Sequence, residues 1–179
     1  MSKSARSIVI LLFLAGAVAF YLGHRRNAKS GVEIGEDAPD FTLPSLGQGS
    51  FALANYKRQV VVLNFWATWC PPCVEETPSL EKFAARVRPM GVAVIGVSVD
   101  QDRAALEKFV GDYHMTYPIA RDPDRTLAAR YGTFQFPETY IIDRSGRVAE
   151  KIIGPIDWQD PRILSFVESL APESARRAE

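Results

Sequence analysis

The chain has 179 residues, enough for one domain with a substantial core plus an additional segment. Its 21 basic and 21 acidic residues cancel, which removes the electrostatic basis for a nucleic-acid role. With 47% hydrophobic and 11% aromatic residues it is neither disordered nor fibrous, and it carries no repeat of solenoid period.

The chain opens with Lys3 and Arg6, then an uninterrupted apolar run from Ile8 to Leu22 closed by His24-Arg25-Arg26. As a helix this run spans about 22 Å, short of a hydrocarbon core of about 30 Å. An uncleaved membrane anchor over residues 1–26 is the preferred reading, and a cleaved signal segment is the alternative. Ala17-Val18-Ala19 satisfies a small-x-small cleavage rule, but Phe20-Tyr21-Leu22 carries the apolar run past it, where a signal usually turns polar. Basic residues flank both ends, so the positive-inside rule barely discriminates; the short export-like head favours a catalytic domain outside the cytoplasm.

Residues 27–34 read as a polar linker to a domain over 35–171, with a frayed tail over 172–179. Ala38 to Pro44 and Ser50 to Leu53 suggest two short extended pieces joined at Gly47-Gln48-Gly49. Val60 to Trp66 is a β-branched and aromatic run, which predicts a buried central strand. Residues 71–87 carry Val74, Leu80, Phe83, Ala84 and Val87 at helical spacing. A second buried strand is expected over 92–99, parallel to the first because a helix connects them. Arg103 to His114 reads as an amphipathic helix, and Asp124 as the cap of a shorter helix ending at Tyr131. Thr139 to Asp143 and Val148 to Ile153 flank the turn residues Arg144 to Arg147, which predicts a hairpin, and a last helix is expected over 161–170. The order is one α/β domain.

Only two cysteines are present, two residues apart in Trp69-Cys70-Pro71-Pro72-Cys73. A loop that short constrains little of the unfolded chain, so it cannot staple a fold. His24 and His114 lack metal-ligand spacing to the pair, so no metal is expected. The strand–CxxC–helix order puts Cys70 at a helix N-terminus, where free N–H groups and the helix dipole stabilise a thiolate. Cys70 is therefore the expected attacking group. Cys73, one turn further in, is the expected resolving group, and the disulfide itself is the only redox centre needed.

Asn64 to Cys73 resembles the thioredoxin active-site segment, Pro78 falls where thioredoxins carry the proline that kinks the active-site helix, and Phe136-Pro137-Glu138-Thr139 resembles their cis-proline loop. From about Ile34 to Leu170 the pattern is similar to the membrane-anchored, extracytoplasmic TlpA/ResA/DsbE-like reductases linked to cytochrome c maturation. The resemblance implies a thioredoxin fold with an N-terminal β-hairpin extension and inserted helices, preceded by one hydrophobic helix. It implies a protein-disulfide reductase on the periplasmic side of a bacterial-type membrane, or free in the periplasm after signal cleavage. Exported disulfide-bearing proteins, apocytochrome c among them, are the implied clients, and a membrane thiol protein the implied electron donor. Trp69, Pro71, Pro72, Phe136 and Pro137 are the implied client contacts. Pro137 would be trans in an ordinary strand entrance; beside this motif a cis bond is expected.

Two departures from the thioredoxin pattern bear on chemistry. Thioredoxins place a buried aspartate where this chain has Asn64, and Glu76, three residues after Cys73, is the expected substitute as proton acceptor. A solvated first-turn carboxylate favoured by the helix dipole is the competing reading of Glu76. Second, Pro71 and Pro72 both lack an N–H, leaving Cys73 N–H as the nearest donor to the Cys70 sulfur and limiting how far its pKa falls. Rival functions are a disulfide oxidant or isomerase, which usually carries a histidine between the cysteines, and a peroxiredoxin-like thiol peroxidase. The peroxidase wants a hydroxyl three residues before its cysteine, where this chain has Ala67.

Overall fold

The computed structural model describes residues 13–18, 31–47 and 49–172. The chain divides into two compact units, one ending at Ser30 and the other beginning at Gly31. In the first, residues 13–18 are helical (α1). Among the described residues no helix is long and apolar enough to cross a membrane. The rest of the expected anchor, 1–12 and 19–26, lies outside the described residues, as do linker residues 27–30 and tail residues 173–179.

In the second unit the first strands are β1 (Thr42–Pro44) and β2 (Ser50–Ala52), an antiparallel hairpin with Leu43 opposite Phe51. Phe51 stacks on Phe41, and Phe41 meets Tyr131 edge-on, so the hairpin closes onto the domain through aromatic contacts. A 3-10 turn at Leu53–Tyr56 leads to β3 (Val60–Trp66), every residue of which is buried. Its apolar character on both faces is that of a strand covered on both sides.

α2 (Pro71–Val87) follows, then a 3-10 turn at Arg88–Met90 and β4 (Val92–Ser98), parallel to β3. Gly96 in β4 leaves room for the Trp66 indole and Ile119; a Cβ there would lie 2.8 Å from Trp66 Nε1. α3 (Arg103–Asp112) is capped by Asp102, whose side chain accepts from Ala104 N and Ala105 N. It ends two residues before the expected His114, which adopts φ 51°.

β5 (Ile119–Arg121) is a strand that the sequence pattern did not signal; it pairs parallel with Gly96–Ser98 of β4. α4 (Thr126–Tyr131) is not capped by Asp124, as expected, but by Asp122. The Asp122 carboxylate accepts from Leu127 N, Ala128 N and the Thr126 hydroxyl, because Arg125 takes a left-handed turn that brings the chain back over it. β6 (Glu138–Ile142) and β7 (Val148–Ile153) form the expected hairpin, and α5 (Pro161–Leu170), capped by Asp160, closes the domain.

The sheet order is β5-β4-β3-β6-β7, with β6 antiparallel to β3. Alternation along β3 sends Phe65 to one face, where it packs on Tyr131 of α4 and Tyr140 of β6. Asn64 and Trp66 project to the opposite face, toward Glu76 of α2 and Phe109 of α3. That arrangement brings the C-terminal end of β3, the start of α2 and the approach to β6 to one edge of the domain. It is the thioredoxin-like α/β fold that the sequence led us to expect.

Candidate active site

β3 ends at Trp66, and the next three residues turn the chain into α2. Asp100 fixes this turn. Its carboxylate accepts from Thr68 N at 3.1 Å, from the Thr68 hydroxyl at 2.6 Å and from the Ser98 hydroxyl at 2.7 Å. Asp100 is buried, and with these donors its charge is compensated where it sits. Cys70 is then the N-cap of α2: its backbone is extended, and its side chain accepts from Cys73 N at 3.3 Å. Pro71 occupies the first helical position, where its missing N–H costs nothing. Cys70 and Cys73 are joined as a disulfide, both buried, Cys73 the more deeply at 1% exposure against 5%. The helix runs on through Pro78. One backbone N–H thus reaches the Cys70 sulfur, as expected from the two prolines.

Glu76 lies one turn after Cys73 and is 5% exposed, so it is not a solvated first-turn carboxylate. Asn64 Nδ2 donates to Glu76 Oε1 at 2.9 Å and also to the Thr139 hydroxyl at 2.9 Å. Ile156 N and Trp158 Nε1 donate to Glu76 Oε2, each at 3.4 Å. Burial raises the Glu76 pKa to about 7, against the lowering effect of the hydrogen bonds from Asn64, Ile156 and Trp158. A carboxyl that is half ionised near neutrality, one turn from the inner cysteine, is suited to accepting and returning a proton. Glu75 is exposed.

The outer rim is aromatic. Trp69 is 56% exposed and meets the Phe136 ring in a T-shaped contact at 6.0 Å. The Phe136–Pro137 peptide is cis, and Pro137 is buried. The Arg125 guanidinium lies over both rings, 5.6 Å from the Trp69 centroid and 5.7 Å from that of Phe136. Pro71 is exposed and Pro72 half-buried, whereas Trp66 is a core residue. A groove of about 510 Å³ runs beside this rim, lined by Thr68, Trp69, Asp100, Asp102 and Arg125 among others.

Asp100, Trp158 and Arg125 escaped the sequence reading. Asp100 had a usable signal, since it follows the carboxyl end of a parallel strand, where α/β sites gather. Trp158 had none, since it reaches the site from a loop that no periodicity marks; Arg125 was expected only as the start of a short helix, and its left-handed backbone is what brings it to the rim.

Residues 34–151 match the profile of the AhpC/TSA family. The chain is 36% identical over 166 residues to the thiol-disulfide oxidoreductase ResA of Bacillus cereus (strain ZK / E33L), covering 92% of this chain and 95% of that protein. Among solved structures it is similar to a Chlorobium tepidum protein described as thiol:disulfide interchange protein DsbE. The TM-score is 0.73 at 28% identity, covering 78% of this chain and 99% of that one. A secreted Mycobacterium tuberculosis disulfide oxidoreductase, homologous to DsbE of E. coli, matches with a TM-score of 0.63 at 28% identity, covering 72% of this chain and 94% of that one.

Proposed function

Because this chain belongs to the AhpC/TSA family and is a thiol–disulfide oxidoreductase with the Cys70–Cys73 disulfide as its redox centre, we propose that it works as a reductase of disulfides in exported proteins. The single backbone donor on the Cys70 sulfur carries this reading. Strong oxidants of the fold hold their reduced form low by stabilising the thiolate; a lone N–H does little of that, so the dithiol is the better electron donor.

The proposed cycle starts from the dithiol. The Cys70 thiolate attacks one sulfur of the client disulfide, breaking that S–S bond, forming the Cys70–client mixed disulfide and expelling the first client thiolate, which takes a proton from water. Cys73 then gives its proton to the Glu76 carboxylate and attacks the Cys70 sulfur. The mixed disulfide breaks, the second client thiolate leaves and is protonated, and Cys70–Cys73 closes as the disulfide. Two electrons have passed to the client. A membrane thiol protein supplying two electrons returns the pair to the dithiol. Client strands lie along Trp69, Pro71, Pro72, Phe136 and Pro137, with apocytochrome c as a client.

The extracytoplasmic setting is supported by the apolar run of residues 8–22 and by the secreted relative; on this reading the run anchors the chain in the cell membrane with the domain outside, the alternative being release into the periplasm after cleavage. The thiol-peroxidase alternative gains nothing from the site, since Ala67 is buried and carries no hydroxyl, and the hydroxyl of the adjacent Thr68 is engaged by Asp100.

Trapping tests the division of labour. Cys73→Ala is expected to accumulate mixed disulfides with client proteins through Cys70, and Cys70→Ala to accumulate few. Equal trapping by the two variants contradicts the assignment.

A further inference from the structure

On the premise that the dithiol acts on disulfides of other polypeptides, we propose that Arg125 selects clients carrying an aspartate or glutamate beside the attacked cysteine. The position of Arg125 is built rather than incidental. It has φ 55° and ψ 27°, a left-handed conformation that costs a residue with a Cβ about 1–2 kcal/mol. Its backbone is held on both sides, Arg125 N donating to Asp122 O at 2.9 Å and Arg125 O accepting from Ala129 N at 2.9 Å. This turn carries the guanidinium over Trp69, the residue next to Cys70, and over Phe136, the residue next to the cis-proline.

An aromatic platform under a guanidinium fixes its plane and leaves its N–H edges for a planar acceptor. Among the described residues, ion pairs engage Arg103, Lys108, Arg147, Lys151 and Arg162, and none engages Arg125. The carboxylates around it are committed elsewhere. Asp122 holds the start of α4, Asp100 holds Thr68 and Ser98, and Asp102 caps α3. Asp124 is its chain neighbour and makes no ion pair with it within 4 Å. An extended client segment laid across Cys70 passes the Trp69–Phe136 rim, and a carboxylate on a residue flanking its cysteine meets the free edge of the fork. A lysine or arginine in that place is repelled by the guanidinium.

The test uses the reduced full chain and synthetic peptides of one sequence, each with an internal disulfide and with Asp, Asn or Lys beside the attacked cysteine. The readout is the ratio of kcat/KM values between peptides, which a loss of folded protein does not move. The Asp peptide is expected to exceed the Asn peptide by about fivefold at low salt, with the ratio falling toward one as salt rises. The Lys peptide is expected to fall below both. In Arg125→Gln the Asp-to-Asn ratio is expected to drop to about one, and Arg125→Lys to restore part of it. An absent preference in the unaltered chain, or one that survives in Arg125→Gln, overturns the proposal. Failure to reduce any of the peptides overturns the reductase reading along with it.

Discussion

Replacing Glu76 by glutamine removes a proton site and leaves the side chain's shape in place. The Glu76 pKa stands at about 7 against an ordinary 4.5, so the folded protein binds this proton more tightly than the unfolded chain does. The stability this confers is complete below pH 4.5 and is lost as pH rises through about 7. At about 1.4 kcal/mol for each tenfold in proton affinity, the loss across that window is about 3 kcal/mol. Denaturant melts of the oxidised protein are expected to show such a decline, and Glu76→Gln to be flatter over the same window. In the proposed cycle the variant lacks the acceptor for the Cys73 proton. Release of thionitrobenzoate from its mixed disulfide with Cys70 is expected to slow by about a hundredfold near neutral pH. The deficit is expected to shrink in alkali, where Cys73 ionises unaided. In the unaltered chain the same release is expected to rise with pH through about 7, as Glu76 becomes a carboxylate. Release at the unaltered rate across pH, together with an unchanged stability decline, refutes the reasoning at both points.

Asp122→Ala is expected to destabilise the domain by about 1–2 kcal/mol, because three donors at the start of α4 lose their acceptor. Asp124→Ala is expected to stay within about 0.5 kcal/mol of the unaltered protein, and thermal melts of the two distinguish them. In cell fractionation the chain is expected in the membrane fraction, with its domain digested by protease added outside the cytoplasmic membrane; recovery as a soluble cytoplasmic protein contradicts the proposed setting.

The central strand was legible because burial on both faces demands a nearly continuous apolar run, which Val60 to Trp66 supplies with Asn64 as its one polar residue. α2 was legible from end to end: two prolines open it, apolar spacing continues it, and Gly91 follows the turn that ends it. β5 was not. Three residues are too few for a period, and pairing with β4 makes them a strand. The cap of α4 was misread because the rule that the capping residue immediately precedes the helix fails when a left-handed residue intervenes, as Arg125 does. At the site, the cysteines and the proline loop were legible from local motifs. The burial of Glu76 was not, since Ile156 and Trp158 reach it from about eighty positions away and no local pattern encodes that contact.

The claim on which the rest depends is that the Cys70–Cys73 couple gives electrons rather than takes them. Equilibrating the purified domain with mixtures of reduced and oxidised glutathione, or with a stronger dithiol where glutathione is too weak, measures its potential. With two prolines removing donors and one N–H on the Cys70 sulfur, the couple is expected near thioredoxin, at about −270 mV. A potential near about −120 mV, with the Cys70 pKa strongly depressed from the usual thiol value of about 8.5, contradicts the reductase account and makes the chain an oxidant.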